Sequence, residues 1–175
     1  MIIHVAGAVG RGPTSLAAFD SALCRARIAN FNLLRLSSVI PAGAELVHHD
    51  GPMTDVSLPG SWGDRMYVVM AEARTDAPGS EVWAGIGWVQ DATSGAGLFV
   101  EHEATSEADL RDQITKSLRG LQENRHLDLG PVQMHVAGAV CESDPICAMV
   151  VAAYQVSDWS NRPYFAGDSS SRARC

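Results

Sequence analysis

The chain has 175 residues, 46% of them hydrophobic and 19% charged, which is the composition of a folded domain and not of a disordered one. Thirteen Lys+Arg against 20 Asp+Glu give a formal net charge of −7, an excess that repels a phosphate backbone and argues against nucleic acid as a partner. No apolar run approaches the ~20 residues of a membrane-spanning helix, and the length suits one domain with a core large enough to need no metal or disulfide.

Ile2 to Val9 reads as a short apolar strand, followed by a glycine-rich turn at Gly7, Gly10 and Gly12. Thr14 is placed to cap a helix running to about Ala29, with Leu16, Phe19, Leu23 and Ala26 as its buried stripe. Asn30 to Ile40 reads as extended and stops at Pro41, and His48 to Asp64 reads as a loop. Strands are expected at Met66–Ala73 and Val82–Val89, with turn residues at 91–95 closing a hairpin onto Gly97–His102. Ser106 and Asp109 resemble a capping box opening a helix with Leu110, Ile114, Leu118 and Leu121 on one stripe. Val132, Met134 and Val136 alternate as in a half-buried strand. Cys147–Val156 favours a strand, with a short helix as the alternative. Mostly antiparallel strands with two amphipathic helices predict a layered α+β sandwich in residues 1–157 and a flexible tail at 158–175.

The N-terminal run Met1-Ile2-Ile3-His4 lacks the basic region of a signal peptide, and Cys24, Cys141, Cys147 and Cys175 form no C-x-x-C pair. They read as reduced thiols of a cytoplasmic protein, two disulfides being the alternative. No metal site emerges. His48 and His49 are adjacent and point to opposite sides of an extended chain. His102 faces away from its neighbours Glu101 and Glu103, and all of these histidines are expected to face solvent. The glycines occur as G-x-x-G-x-G with no P-loop Lys following, so a tight turn needing positive φ is expected there and not a phosphate cradle. Asp20 has only Leu16, Ala17, Leu23 and Cys24 at helical contact spacing, and so no cation of its own helix to pair with. Ser37 and Ser38 interrupt an apolar segment. A serine hydroxyl beside the preceding carbonyl can attack it, shift the acyl chain from nitrogen to oxygen and, after β-elimination and hydrolysis, leave a pyruvoyl ketone.

Three blocks in order, Leu16-Ala17-Ala18-Phe19-Asp20-Ser21-Ala22-Leu23, Asn32-Leu33-Leu34-Arg35-Leu36-Ser37-Ser38-Val39-Ile40-Pro41 and Gly97-Leu98-Phe99-Val100-Glu101-His102-Glu103, resemble the signatures of pyruvoyl-dependent arginine decarboxylases. The resemblance covers roughly Ile2 to Val156. It departs from the family at Pro41-Ala42, where Pro-Pro is common, and in the tail.

The resemblance implies a four-layer αββα sandwich assembled as a homotrimer. It also implies self-cleavage between Ser37 and Ser38 into a 1–37 β chain and a 38–175 α chain headed by a pyruvoyl group made from Ser38, with no PLP and no metal. Asn32 then stands near the scissile bond, Asp20 and Leu16 line the substrate pocket, and Glu101 is the proton donor, with Glu103 on the same strand face as second candidate. A pyruvoyl ketone can condense with an amine and accept the electrons released with CO₂, the role PLP plays elsewhere. An acid kept protonated beside Phe99 and Val100 can return the proton, and a carboxylate such as Asp20 can hold a guanidinium in two hydrogen bonds. The implied reaction is arginine to agmatine and CO₂. Decarboxylation of ornithine or lysine, and an unprocessed non-catalytic subunit of the same fold, are the alternatives.

Overall fold

The computed structural model describes residues 1–51, 53 and 58–160. Alternating apolar residues and glycine-marked turns give nine strands among them, β1 (Ile2–Arg11), β2 (Asn32–Arg35), β3 (Val39–Ile40), β4 (Glu45–His49), β5 (Arg65–Thr75), β6 (Glu81–Gln90), β7 (Gly97–Ala104), β8 (Gln133–Val140) and β9 (Ile146–Ser157). Two helices are inserted, α1 (Ser15–Arg25) and α2 (Glu107–Arg125). One sheet runs β2-β5-β9-β1-β4 and the other β3-β7-β6-β8. Only β1/β4 and β2/β5 are parallel pairs.

Strand alternation sorts the side chains into three apolar layers. Ile3, Val5, Val69, Ile86, Trp88 and Phe99 fill the space between the sheets. Ala6, Ala18, Ala22, Met66 and Met149 join α1 to the outside of the first sheet. Val89, Val100, Leu110, Ile114 and Leu118 join α2 to the outside of the second. The result is the αββα order expected from the resemblance. β9 is buried from Ile146 to Tyr154 because both its faces are covered, which explains its continuous apolar run and excludes the helical alternative.

Helix α2 begins at Ser106, whose hydroxyl accepts from the Asp109 amide at 3.2 Å. Asp109 is too short to reach back to the Ser106 backbone and accepts the Ser106 hydroxyl instead, at 2.8 Å. Helix α1 is capped by Thr14 as expected but ends at Arg25, four residues early. Arg27 takes the left-handed conformation at φ 65°, so that its amide and that of Ile28 bond back to Cys24 and Leu23.

The stripe expected on α1 holds at Ala26 and in part at Phe19 and Leu23, but not at Leu16. Ala18, Ala22 and Ala26 are buried, Phe19 and Leu23 flank them, and Leu16 is 70% exposed. The cause is the strand beneath. A side chain at Gly10 would overlap the Ala18 carbonyl and Ala22 backbone, and one at Gly12 would overlap Ala17. The helix sits so close to β1 that only alanines fit between them. Gly7 and Gly10 belong to β1, not to a turn, and they serve close packing instead of positive φ, Gly10 against α1 and Gly7 against His135 and Ala137 of β8.

Two further expectations are corrected. His48–His49 closes β4 and does not open a loop. These histidines are also partnered: His48 shares a hydrogen bond with His135 of β8, linking the edges of the two sheets, and His49 meets His4 of β1 at 3.1 Å on the other side of the strand. His102 does turn away from its carboxylate neighbours, onto the Ser117 hydroxyl of α2 at 2.8 Å. Among the described residues no helix is long and apolar enough to cross a membrane. Much of the expected tail, from residue 161 on, and parts of the 48–64 segment lie outside the described residues.

Burial first, and then the neighbouring His48 and His49, push the His135 pKa down from 6.5 to about 4, while Asp50 opposes them. An unfolded chain therefore binds a proton here between about pH 6.5 and 4 that the folded chain does not, and stability falls as pH drops through that window. Thermal melts of wild type and His135→Gln at about pH 7.5 and about pH 4.5 check this. The acid-induced fall in Tm is expected to be smaller in the variant, and equal falls would assign the loss to other groups.

Candidate active site

β2 lies at the edge of its sheet, in parallel register with Arg65–Val68 of β5. The last bond to that sheet is from the Leu36 amide to the Val68 carbonyl, 2.9 Å. Two residues on, the Phe99 amide donates to the Ser38 carbonyl at 2.8 Å, and Val39 and Ile40 pair with Leu98 and Gly97 in the other sheet. The expected single strand at Asn30–Ile40 is thus two strands in two sheets, and the Ser37–Ser38 peptide is the crossing.

The crossing leaves Ser38 at φ 66°. Among the described residues only three that are not glycine have positive φ. Arg27 and His126 end helices, where this conformation is routine, and Ser38 ends none. An L-residue pays roughly 1–2 kcal/mol for it. The Ser38 hydroxyl donates to Glu101 Oε1. Glu101 reaches it because β7 alternates: Phe99 and Glu101 point between the sheets and His102 points out to α2. Glu103 is exposed and takes no part in this contact.

Sequence reasoning missed Tyr154. Register on β9 slips by one residue, Tyr67 facing Gln155 while Val68 faces Ala153, so Tyr154 is the extra residue of a β-bulge. The bulge puts both Tyr154 and Gln155 on the cleft face. The Tyr154 hydroxyl donates to the Val39 carbonyl at 3.0 Å, one residue past Ser38. Burial, and then the charge of Glu101, push its pKa above the normal tyrosine value, which keeps it a donor. A tyrosine inside an apolar strand was the available signal, since a buried phenol needs a hydrogen-bond partner.

A cleft of about 560 Å³ opens beside the crossing, lined by Leu36, Ser37, Val39, Tyr67, Tyr154 and Ser157 among others. That volume lies within the range of small-molecule sites. The other expected residues lie elsewhere in the protomer. The Asn32 side-chain amide donates to the Gly63 carbonyl at 2.6 Å, an acceptor it shares with Trp159 Nε1 at 3.0 Å, so it ties β2 to the turn before β5. Asp20 and Leu16 are exposed on α1 and do not line the cleft. Among the described residues no three His, Cys, Asp or Glu side chains converge as a metal-binding group.

A hydroxyl in a left-handed linkage is bonded to a carboxylate in this α+β chain, and a cleft of small-molecule size opens beside that linkage. Residues 2–159 match the family model of pyruvoyl-dependent arginine decarboxylase. A pyruvoyl-dependent arginine decarboxylase of Halobacterium salinarum is 32% identical over 158 residues, covering 89% of this chain and 95% of the relative. One of Thermococcus kodakarensis is 29% identical over 150 residues, covering 84% and 90%. A solved pyruvoyl-dependent histidine decarboxylase overlaps 56% of this chain and 52% of its own, with a TM-score of 0.41 and 17% identity. The chain belongs to the pyruvoyl-dependent arginine decarboxylase family.

The left-handed Ser38 gives a test independent of activity. Ser38→Ala and Ser38→Gly both remove the hydroxyl, and alanine would ordinarily give the more stable protein by restricting the unfolded chain. At φ 66° the order is expected to reverse, with Ser38→Gly more stable by about 1 kcal/mol, or a Tm about 2–4 °C higher. A higher Tm for Ser38→Ala would remove the strain from the site.

Proposed function

We propose that this protein cleaves itself between Ser37 and Ser38 and, as the cleaved enzyme, converts L-arginine to agmatine and CO₂. The carrying observation is the Ser38 hydroxyl on Glu101 with Ser38 held in the left-handed conformation. In the self-cleavage, Ser38 Oγ, oriented by its hydrogen bond to Glu101, attacks the Ser37 carbonyl carbon and gives up its proton to water. The C–N bond breaks, the amine of residue 38 takes up a proton, and Ser37 is left as an ester on Oγ. β-Elimination takes the Cα proton of residue 38, breaks its Cβ–Oγ bond and frees Ser37 as a carboxylate, its second oxygen being the former Oγ. Water then displaces the nitrogen of residue 38 as ammonia and leaves the pyruvoyl group. No PLP or metal enters this scheme, and residues 1–157 are the decarboxylase domain, with 158–175 as its tail.

The fit of the pyruvoyl group rests on the orientation of residue 38, fixed by the Phe99 amide on its carbonyl and the Tyr154 hydroxyl on the next, with the cleft alongside. When formed, the group supplies a ketone that condenses with the substrate amine and accepts the electron pair left as CO₂ departs. The chain's residues do the rest. Glu101, already within reach of residue 38, delivers a proton to the carbon that lost the carboxylate. Tyr154 holds Val39, and with it residue 38, in place. Asn32 acts on cleavage indirectly, by fixing the start of β2 against the Gly63 turn.

Asp20 receives the guanidinium and Leu16 packs on its alkyl chain, and both do so from a neighbouring copy in a homotrimer. The exposure of both residues, and of Leu36 and Val39 at the cleft, supports such an assembly. The buried free thiols Cys141 and Cys147, the latter with its pKa raised to about 11 mainly by burial, support a cytoplasmic setting.

Turnover of arginine, ornithine and lysine by wild type, Glu101→Gln and Asp20→Asn tests this function. Glutamine keeps an acceptor for the Ser38 hydroxyl but has no proton to give, so cleavage is expected to proceed while kcat falls by ~10²–10⁴. Asp20→Asn is expected to lower arginine kcat/KM by roughly 10- to 150-fold, the loss of one charge-assisted contact of ~1.5–3 kcal/mol, with cleavage unaffected. A preference for ornithine or lysine, or unchanged arginine kinetics in Asp20→Asn, would overturn the arginine assignment.

A further inference from the structure

The cleft beside the crossing holds hydrogen-bonding capacity that the uncut chain leaves unused. Ser157, at the end of β9, is 4% exposed and lines the cleft, yet its hydroxyl is buried without a hydrogen-bond partner. A buried unpaired hydroxyl is destabilising and rare, and one beside a cleft calls for a ligand. Its neighbours define the chemistry. Tyr67 and Gln155 face each other across β5 and β9, and Ser157 lies two residues beyond Gln155, on the same face of the strand. A hydroxyl, a phenol and a carboxamide can all donate, and among the described residues the lining includes no Asp or Glu, Glu101 being engaged by the Ser38 hydroxyl instead. Neutral donors with no carboxylate in the lining suit an anion, and the cleft, at about 560 Å³, has room for a chain-terminal carboxylate.

Ser37 lines the same cleft. In the uncut chain it carries an amide. Cleavage makes it a chain terminus with a carboxylate and releases it from Ser38. We propose that Ser157, with Tyr67 and Gln155, forms a receptor for the Ser37 carboxylate that self-cleavage creates. Docked there, the new terminus is held away from residue 38 and leaves the remainder of the cleft to the amino acid. The inference rests on the self-cleaving reading above.

An amino-acid substrate also brings a carboxylate, so the measurements are made first without substrate. Ser157→Ala is introduced into the cleaved protein and into uncleavable Ser38→Ala, and mass spectra establish which preparations are cut. In the uncut background the substitution removes only an unpaired hydroxyl, and Tm is expected to hold or rise. In the cleaved protein it removes a donor to a carboxylate, and Tm is expected to fall by about 3–10 °C. Tyr67→Phe serves as a second variant with the same expected contrast: a fall in the cleaved protein that exceeds any change in the uncut one. Equal shifts in the two backgrounds overturn the receptor. So does a raised KM for arginine without the Tm contrast, which assigns these donors to the substrate. An uncut chain in the protein that retains Ser38 overturns the self-cleaving reading itself, a result the mass spectrum separates from the other two.

Discussion

The chain has three residues, Leu36 to Ser38, in which to leave the edge of one sheet and enter the edge of the other. Both ends of the passage are held by backbone hydrogen bonds, from Leu36 to Val68 and from Phe99 to Ser38, and Tyr154 pins the next carbonyl. The left-handed turn at Ser38 follows from that confinement. Its cost, roughly 1–2 kcal/mol, is small beside the burial of three apolar layers, so the sheets can hold it. The same confinement aims the hydroxyl at Glu101, because β3 and Glu101 are both on the β7 side of the crossing.

The order of events follows from where the first 37 residues lie. β1 sits inside its sheet, paired on one side with β9 and on the other with β4, and α1 is packed against it. β9 is near the other end of the described chain, so the sheet that strains Ser38 exists only after most of the protein has folded. A segment this short has too little surface to bury for folding alone. Cutting at Ser37 would leave β1 locked between its neighbours, and the two pieces would remain one structure.

Much of this was legible in the chain. β5, β6 and β7 follow from their β-rich segments and turn residues, β9 from its length and β-branched content, and α2 from its cap and the stripe Leu110, Ile114, Leu118. The pairing of Ser38 with Glu101 was foreshadowed by the sequence blocks that carry both residues. The misses share a physical cause. On α1 the large apolar residues are the natural choice for a core stripe, yet Gly10 of β1 and Gly12 just beyond it accept only alanine, so Leu16 turns outward. At residues 32–40 local pattern cannot tell one strand from two strands in different sheets, because the break is imposed by long-range pairing with β5 and β7. The histidine pairs and the bulge at Tyr154 arise from register between distant strands, which composition does not encode. Asp20 and Leu16 are exposed on α1 and stand outside the cleft, whereas the sequence blocks place them in the pocket.

The most direct measurement is the intact mass of the purified, denatured protein before and after borohydride reduction. Self-cleavage at the strained crossing requires two chains, residues 1–37 with an ordinary carboxyl end and residues 38–175 with a blocked end that gains two hydrogens on reduction. Ser38→Ala, folded but without the hydroxyl, would give one chain. A single unreduced chain of 175 residues in the wild type after prolonged incubation would contradict the central claim that the geometry at Ser38 and Glu101 breaks this bond.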